Sequence, residues 1–150
     1  MGIPYTAKNS ISVKGFTFTC GTYNRKGIVA DKDCTTIINM RKSGAIFLAL
    51  TNVPDTTLFS DSFNYLDGQT NNPYDKSRVP GGSSGGEAAL IASAGSVLGV
   101  DFFHCLIKKM TKSKIIFFFT SRLVPILEDH YEFLHIFVEY FLIVQRLEIL

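Results

Sequence analysis

Two adjacent hydroxyls set between two glycine pairs, Gly81-Gly82-Ser83-Ser84-Gly85-Gly86, have the residue types and spacing for chemistry. Glycines let a backbone approach a ligand closely and reach positive φ. The following run, Glu87-Ala88-Ala89-Leu90-Ile91-Ala92, reads as the start of a helix. Free N–H groups at such a start favour an anion or a developing oxyanion. A flexible Gly/Ser linker is the plain alternative, but a helix directly behind the turn argues against it. Other glycine-loop readings fail on spacing. The turn is neither G-x-x-x-x-G-K-[ST] nor G-x-G-x-x-G, and it is not a G-x-S-x-G elbow. Cys20, Cys34 and Cys105 have no metal spacing. His130, Glu132, His135 and Glu139 have helical spacing that mimics a ligand set. Nothing in the sequence supplies them a fixed second shell, so no metal is expected.

The elements that must hold this turn can be read from the surrounding pattern. Residues 2–8 read as a turn leading into a short extended piece, and Val13-Lys14-Gly15 as a turn. Residues 31–43 read as a helix, with Asp31 as N-cap, Cys34, Ile37 and Ile38 on one face and Gly44 as the C′ residue. The apolar run 45–51 predicts a strand buried on both faces. Residues 52–80 are rich in Asn, Asp, Pro, Ser and Thr and read as loop. A helix over about 87–94 and a second buried strand at 97–100 follow. Helix, strand, long loop, helix, strand is α/β order, so a parallel or mixed sheet with flanking helices is expected.

Composition bounds the rest. A chain of 150 residues has room for one domain. With 46% hydrophobic and 19% charged residues it is not a disordered composition. A net charge of +2 gives no electrostatic case for nucleic acid. The cysteine usage fits a reducing, intracellular setting. No basic stretch followed by an apolar one opens the chain, and no uninterrupted apolar run reaches the ~18 residues of a membrane span. Composition also shifts along the chain. All 12 glycines lie between Gly2 and Gly99. Residues 102–150 hold no Gly, Ala or Asn but eight of the 13 Phe. Residues 1–101 and 102–150 are therefore read as two regions.

Four motifs in order give the first region a resemblance. Gly2-Ile3-Pro4-Tyr5-Thr6-Ala7-Lys8 resembles G-[VI]-P-[FY]-x-x-K of the amidase signature family. The run Ser43-Gly44-Ala45-Ile46-Phe47-Leu48-Ala49-Leu50-Thr51-Asn52-Val53-Pro54 resembles its A-G-A-x-x-x-G-x-T-N-x-P strand. Asn71-Asn72-Pro73-Tyr74-Asp75, and Pro80 followed by the glycine-serine turn, complete the set. The match covers residues 2–101. The Glu after the second glycine pair and the Asn-Asn-Pro-Tyr-Asp run are most like the eukaryotic fatty-acid amide hydrolases. The resemblance implies a Ser–cis-Ser–Lys mechanism for carboxamide hydrolysis, with no cofactor. Lys8 then matches the catalytic lysine, which must be buried and partly desolvated to serve as a base. Ser83 matches the bridging serine, joined to its neighbour by a cis peptide. Ser84 is a supporting hydroxyl, and Gly82 and Gly85 are supporting glycines of the turn.

The resemblance stops before its last motif. The family's second strand runs into G-x-D-x-G-G-S-[IL]-R, whose serine is the nucleophile, about two dozen residues past the bridging serine. Here Gly99-Val100-Asp101 is followed by Phe102-Phe103-His104-Cys105-Leu106-Ile107, and no Gly-Gly-Ser occurs after Gly86. Ile107 stands where the nucleophile is expected. Cys105 is read as core filler, because thiolate activation needs an electropositive niche. Ser121-Arg122 lies too far along and lacks the glycines. A tail rich in residues with A/T-rich codons is read as read-through or an alternative exon, and the chain as a fragment of its family domain.

The tail has its own physical reading. Residues 108–114 form a basic patch beside an apolar run, and Pro125 interrupts any long helix. Residues 131–150 predict a helix with Phe133, Phe137, Tyr140, Phe141, Val144 and Leu147 on one face. A mostly helical apolar tail of this kind suits a membrane surface. The N-terminal Met-Gly-x-x-x-Thr also fits a myristoylation pattern, but its Gly-Ile-Pro belongs to the lysine motif. Two function classes follow. One is a serine hydrolase acting on small-molecule amides or lipid amides. The other is a non-catalytic fragment that associates with membranes or another chain. The missing nucleophile predicts that this chain is inactive, and its oligomeric state is left open.

Overall fold

The computed structural model describes residues 2–103 and 114–119. Its centre is a mixed sheet of four strands in the order β2-β1-β5-β6. These are β1 (Pro4–Lys8), β2 (Ile46–Thr51), β5 (Leu98–Phe103) and β6 (Lys114–Phe119). β1 pairs in parallel with both β2 and β5, with a register shift against β2 between Tyr5 and Thr6. β6 pairs antiparallel with β5, from Leu98↔Phe119 to Phe103↔Lys114. A small hairpin of β3 (Phe63–Asn64) and β4 (Gly68–Gln69) interrupts the loop expected over 52–80. Among the described residues the α-helices are α1 (Thr35–Lys42) and α2 (Gly85–Ala92). No helix among the described residues is long and apolar enough to cross a membrane.

Alternation along β1 decides what each face of the sheet becomes, because successive strand side chains point to opposite faces. Tyr5 and Ala7 face one side and join Ile11, Val13, Leu98, Val100 and Ile37 of α1 in the apolar core. Thr6 and Lys8 face the other side, toward α2, and are buried there as polar groups. The helices thus lie on opposite faces, one in each crossover from β1 and β2. The chain leaves β1 toward β2 on one side and returns to β5 on the other. That makes β1 a switch point of the sheet, and ligands of open α/β sheets bind outside the carboxyl ends of strands at such points. Lys8 and Thr51 end their strands there.

Several sequence expectations are corrected by the fold. The helix expected over 31–43 begins later, with Cys34 and not Asp31 at the N-cap. The preceding residues are spent on the turn after β1. Asp33 accepts from Lys14 N–H and pairs with Arg41, and Cys34 N–H donates to Ser12 O. Ile37 is buried but Ile38 is exposed. Gly44 is the C′ residue as expected, at φ +79°, and its N–H donates to Arg41 O. β2 is not buried on both faces. Among the described residues it ends the sheet, and Ile46 and Leu48 are exposed. α2 starts two residues early and β5 runs on to Phe103, past the expected change of region. Lys114–Phe119 is a strand within the tail expected to be mostly helical, in keeping with its β-branched and aromatic residues. The helix expected over 131–150 and the residues His130, Glu132, His135 and Glu139 lie outside the described residues, as do Cys105 and Ile107.

Candidate functional site

The structure brings Lys8, Ser83 and Ser84 together although 75 residues separate the first two. Lys8 ends the central strand, and its Nζ donates to Ser83 Oγ at 2.6 Å and to Ser84 Oγ at 3.0 Å. The lysine is 3% exposed. The Gly82–Ser83 peptide bond is cis. A third group, not singled out from the sequence, completes the cluster. Asp101 on β5 accepts a hydrogen bond from Ser84 Oγ through Oδ2. Its Oδ1 lies 3.2 Å from Lys8 Nζ. Oδ1 has no partner within hydrogen-bond angles, so this contact is a close ion pair and not an aligned hydrogen bond. A buried pair of this kind needs further hydrogen bonds to offset its desolvation, and the two serines supply them.

The turn is held by residues of the polar loop. Ser62 is fully buried. Its Oγ donates to Gly81 O and accepts from Gly85 N–H at 2.9 Å. Asn52, just past β2, donates from Nδ2 toward Ser62 O, Gly68 O and Thr70 Oγ1. Its Oδ1 accepts from Asn64 Nδ2. Gly86 N–H donates to Asn52 O at 3.3 Å. The Gly85 and Gly86 donors expected to face a ligand are therefore engaged inside the protein. Gly82 lies against the backbone of Asp61, and a Cβ there would come within 2.5 Å of Asp61 O.

Glu87 lies beneath this cluster, fully buried in the first turn of α2. Thr6 Oγ1 donates to its Oε2 at 2.6 Å and Thr51 Oγ1 to its Oε1 at 2.9 Å. One carboxyl group thus joins β1, β2 and α2. Burial pushes its pKa up to about 7, against the lowering effect of the two threonine hydrogen bonds, and the nearby Asp101 carboxylate adds to the rise. A lone acidic residue in a helix of small and apolar residues was the available sequence signal for Glu87. Asp101 carried a similar signal at the end of an apolar strand. The spacing of neither residue shows which partner it meets. No group of three or more His, Cys, Asp or Glu suited to a metal occurs among the described residues.

Together the cluster offers a buried amine, two hydroxyls in contact with it and a carboxylate, all on one face at the carboxyl ends of the parallel strands. That set can pass a proton between a hydroxyl and an amine. A protein-family model described as amidase matches residues 1–100. The chain is similar to fatty-acid amide hydrolase 2 of Homo sapiens, at 38% identity over 67% of this chain and 19% of that one. It is also similar to fatty-acid amide hydrolase 1 of Sus scrofa, at 43% identity over 66% of this chain and 17% of that one. Among solved structures it resembles an amidase family protein from Bacillus anthracis str. Ames. That match has a TM-score of 0.63 and 27% identity, over 67% of this chain and 22% of that one. The chain spans about a fifth of the length of the curated relatives it matches.

Proposed function

The chain belongs to the amidase family, and from that premise we propose that it carries the base-and-relay part of an amide-hydrolysing site. Lys8 is the base and Ser83 the relay, with Ser84 in support and Gly82 and Gly85 shaping the turn. The observation that carries this reading is the pair of contacts from Lys8 Nζ to the two serine hydroxyls in a buried site. Lys8, paired with Asp101 as an ammonium at rest, must first give up a proton to water. In the reaction the nucleophile's hydroxyl proton then passes to Ser83 Oγ as Ser83's own proton passes to the Lys8 amine. The nucleophile oxygen then bonds to the carboxamide carbon as the C=O π bond opens to an oxyanion. When the carbonyl re-forms the C–N bond breaks, and the amine leaves with the proton returned from Lys8 through Ser83. The substrates proposed are small carboxamides, with fatty-acid amides favoured by the likeness to the eukaryotic hydrolases.

The proposal separates the site from the chain's own activity. No Gly-Gly-Ser follows Gly86, and Ile107 stands at the expected position of the nucleophile. An isoleucine has no atom that can attack a carbonyl. Triad members act as a unit, so loss of one removes most of the gain from the others. This chain is therefore proposed to be non-catalytic, with its tail either read-through sequence or an alternative exon. Sequencing the transcript across the Asp101 codon tests that origin.

The experiment for the site uses a fluorophosphonate probe and a fatty-acid primary amide. The expected result is no labelling and no hydrolysis by the 150-residue chain. Labelling is expected in a protein that joins residues 1–101 to a continuous Gly-Gly-Ser-[IL]-Arg segment and the remaining family domain, and its loss is expected in Lys8→Ala. Labelling of the unaltered chain that disappears in Ser83→Ala would show that Ser83 is itself a nucleophile and overturn the assignment.

A further inference from the structure

Ser83 and Ser84 carry the same functional group and both touch Lys8, yet the proposed relay uses only one of them. What distinguishes them is Asp101. A hydroxyl has one proton to give. Ser84 gives its proton to Asp101 Oδ2, so toward Lys8 it is an acceptor only. Ser83 Oγ accepts from Lys8 at 2.6 Å, and its own proton has no acceptor among the described residues. The same Asp101 places its other oxygen 3.2 Å from the Lys8 ammonium, with both side chains buried. Charge-assisted hydrogen bonds are the stronger ones, so the Ser84–Asp101 bond fixes that hydroxyl's direction more firmly than a neutral acceptor would.

We infer that Asp101 is a positioning residue that sorts the two serines: it commits the Ser84 proton, orients Lys8 through the ion pair, and leaves Ser83 as the hydroxyl free to pass a proton. The assignment rests on the proposed function for the meaning of the relay, but not for the pairing itself. The groups facing the pair are Lys8 from β1, the two serines from the turn and Glu87 from α2. Glu87 also titrates, so it must be silenced in a test that reads charge.

The test is an NMR titration of the full 150-residue chain carrying Glu87→Gln. It follows the Lys8 Nζ nitrogen and the Asp101 carboxyl carbon as pH is lowered. The expected result is that the Lys8 signal changes whenever the Asp101 signal does. The Ser84 hydroxyl proton is also expected to exchange with water at least tenfold more slowly than that of Ser83. In Asp101→Asn the Lys8 step disappears and the two hydroxyls exchange at similar rates, while the β1 backbone amides keep their protection. A Lys8 nitrogen that stays flat while Asp101 titrates overturns the inference, as does equal hydroxyl exchange in the chain that retains Asp101. Those two readings need no substitution at Asp101, so they decide the matter even if Asp101→Asn does not fold. Loss of probe labelling in the restored hydrolase would sink the proposed function and leave this coupling untouched.

Discussion

At the scale of single residues, Glu87 ties stability to pH. It is fully buried, and burial pushes its pKa from 4.5 to about 7. Between those values the folded chain holds a proton that the unfolded chain has lost. Stability from this group is therefore fully present below pH 4.5 and is lost as pH rises through about 7. Each pH unit between the two values is worth about 1.4 kcal/mol, so the loss is on the order of 3 kcal/mol. Urea unfolding at pH 5 and pH 8 checks this. The unaltered chain is expected to unfold at clearly lower urea at pH 8. Glu87→Gln is expected to remove most of the difference, because an amide can still meet Thr6 and Thr51 without titrating. An equal pH dependence in the glutamine variant would place its origin elsewhere. The sequence marks Glu87 as an acidic residue in an apolar helix. It does not mark the two threonines on separate strands that receive it.

At the scale of elements, the turn depends on close approach between backbones. Gly86 packs on Asn52, and a Cβ at Gly86 would lie 2.5 Å from Asn52 O and 3.0 Å from its Cα. Alanine in an open helix position gains about 1 kcal/mol over glycine. Here the added carbon meets backbone that cannot swing aside, and overpacking of this kind costs about 1–3 kcal/mol. Gly86→Ala is expected to lower the melting temperature and weaken the Gly86 N–H bond to Asn52, read as faster amide exchange at Gly86's neighbours. A higher melting temperature would mean that the approach is looser than described. These contacts also show where sequence reading stops. The Lys8 and Ser83 motifs were named through the family resemblance, while α1 with its Gly44 cap, the strand at 46–51 and the first part of the strand at 98–103 were legible from the residue pattern. The loop after β2 was not, because Asn52, Ser62 and Asn64 order it by bonds to backbone groups that follow no period. The apolar run of β2 also misled, since an unbroken run does not show whether a strand is central or last in its sheet.

At the scale of the whole molecule, the last strand matters for solubility. Among the described residues β2 ends the sheet, and its Ile46 and Leu48 are 53% and 47% exposed, with Ile3 beside them at 46%. An exposed apolar strand at a sheet end presents both unpaired backbone groups and apolar side chains to another copy. The net charge of +2 adds little repulsion between copies. Concentration-dependent association is the expected behaviour, measured by light scattering or sedimentation. Leu48→Lys places a charge on that strand at a position that contributes little to the core, where surface changes cost within about 0.5 kcal/mol. The variant is expected to keep its urea midpoint and to associate at several-fold higher concentration than the unaltered chain. Phe47 supplies the contrast. It packs edge-on against Tyr5 with ring centroids 5.5 Å apart, on the face that meets the core. Phe47→Lys is expected to lower the urea midpoint instead, because it removes that contact and buries a charge. Loss of association in both variants with no loss of stability in either would mean that β2 is not seated on β1 as described.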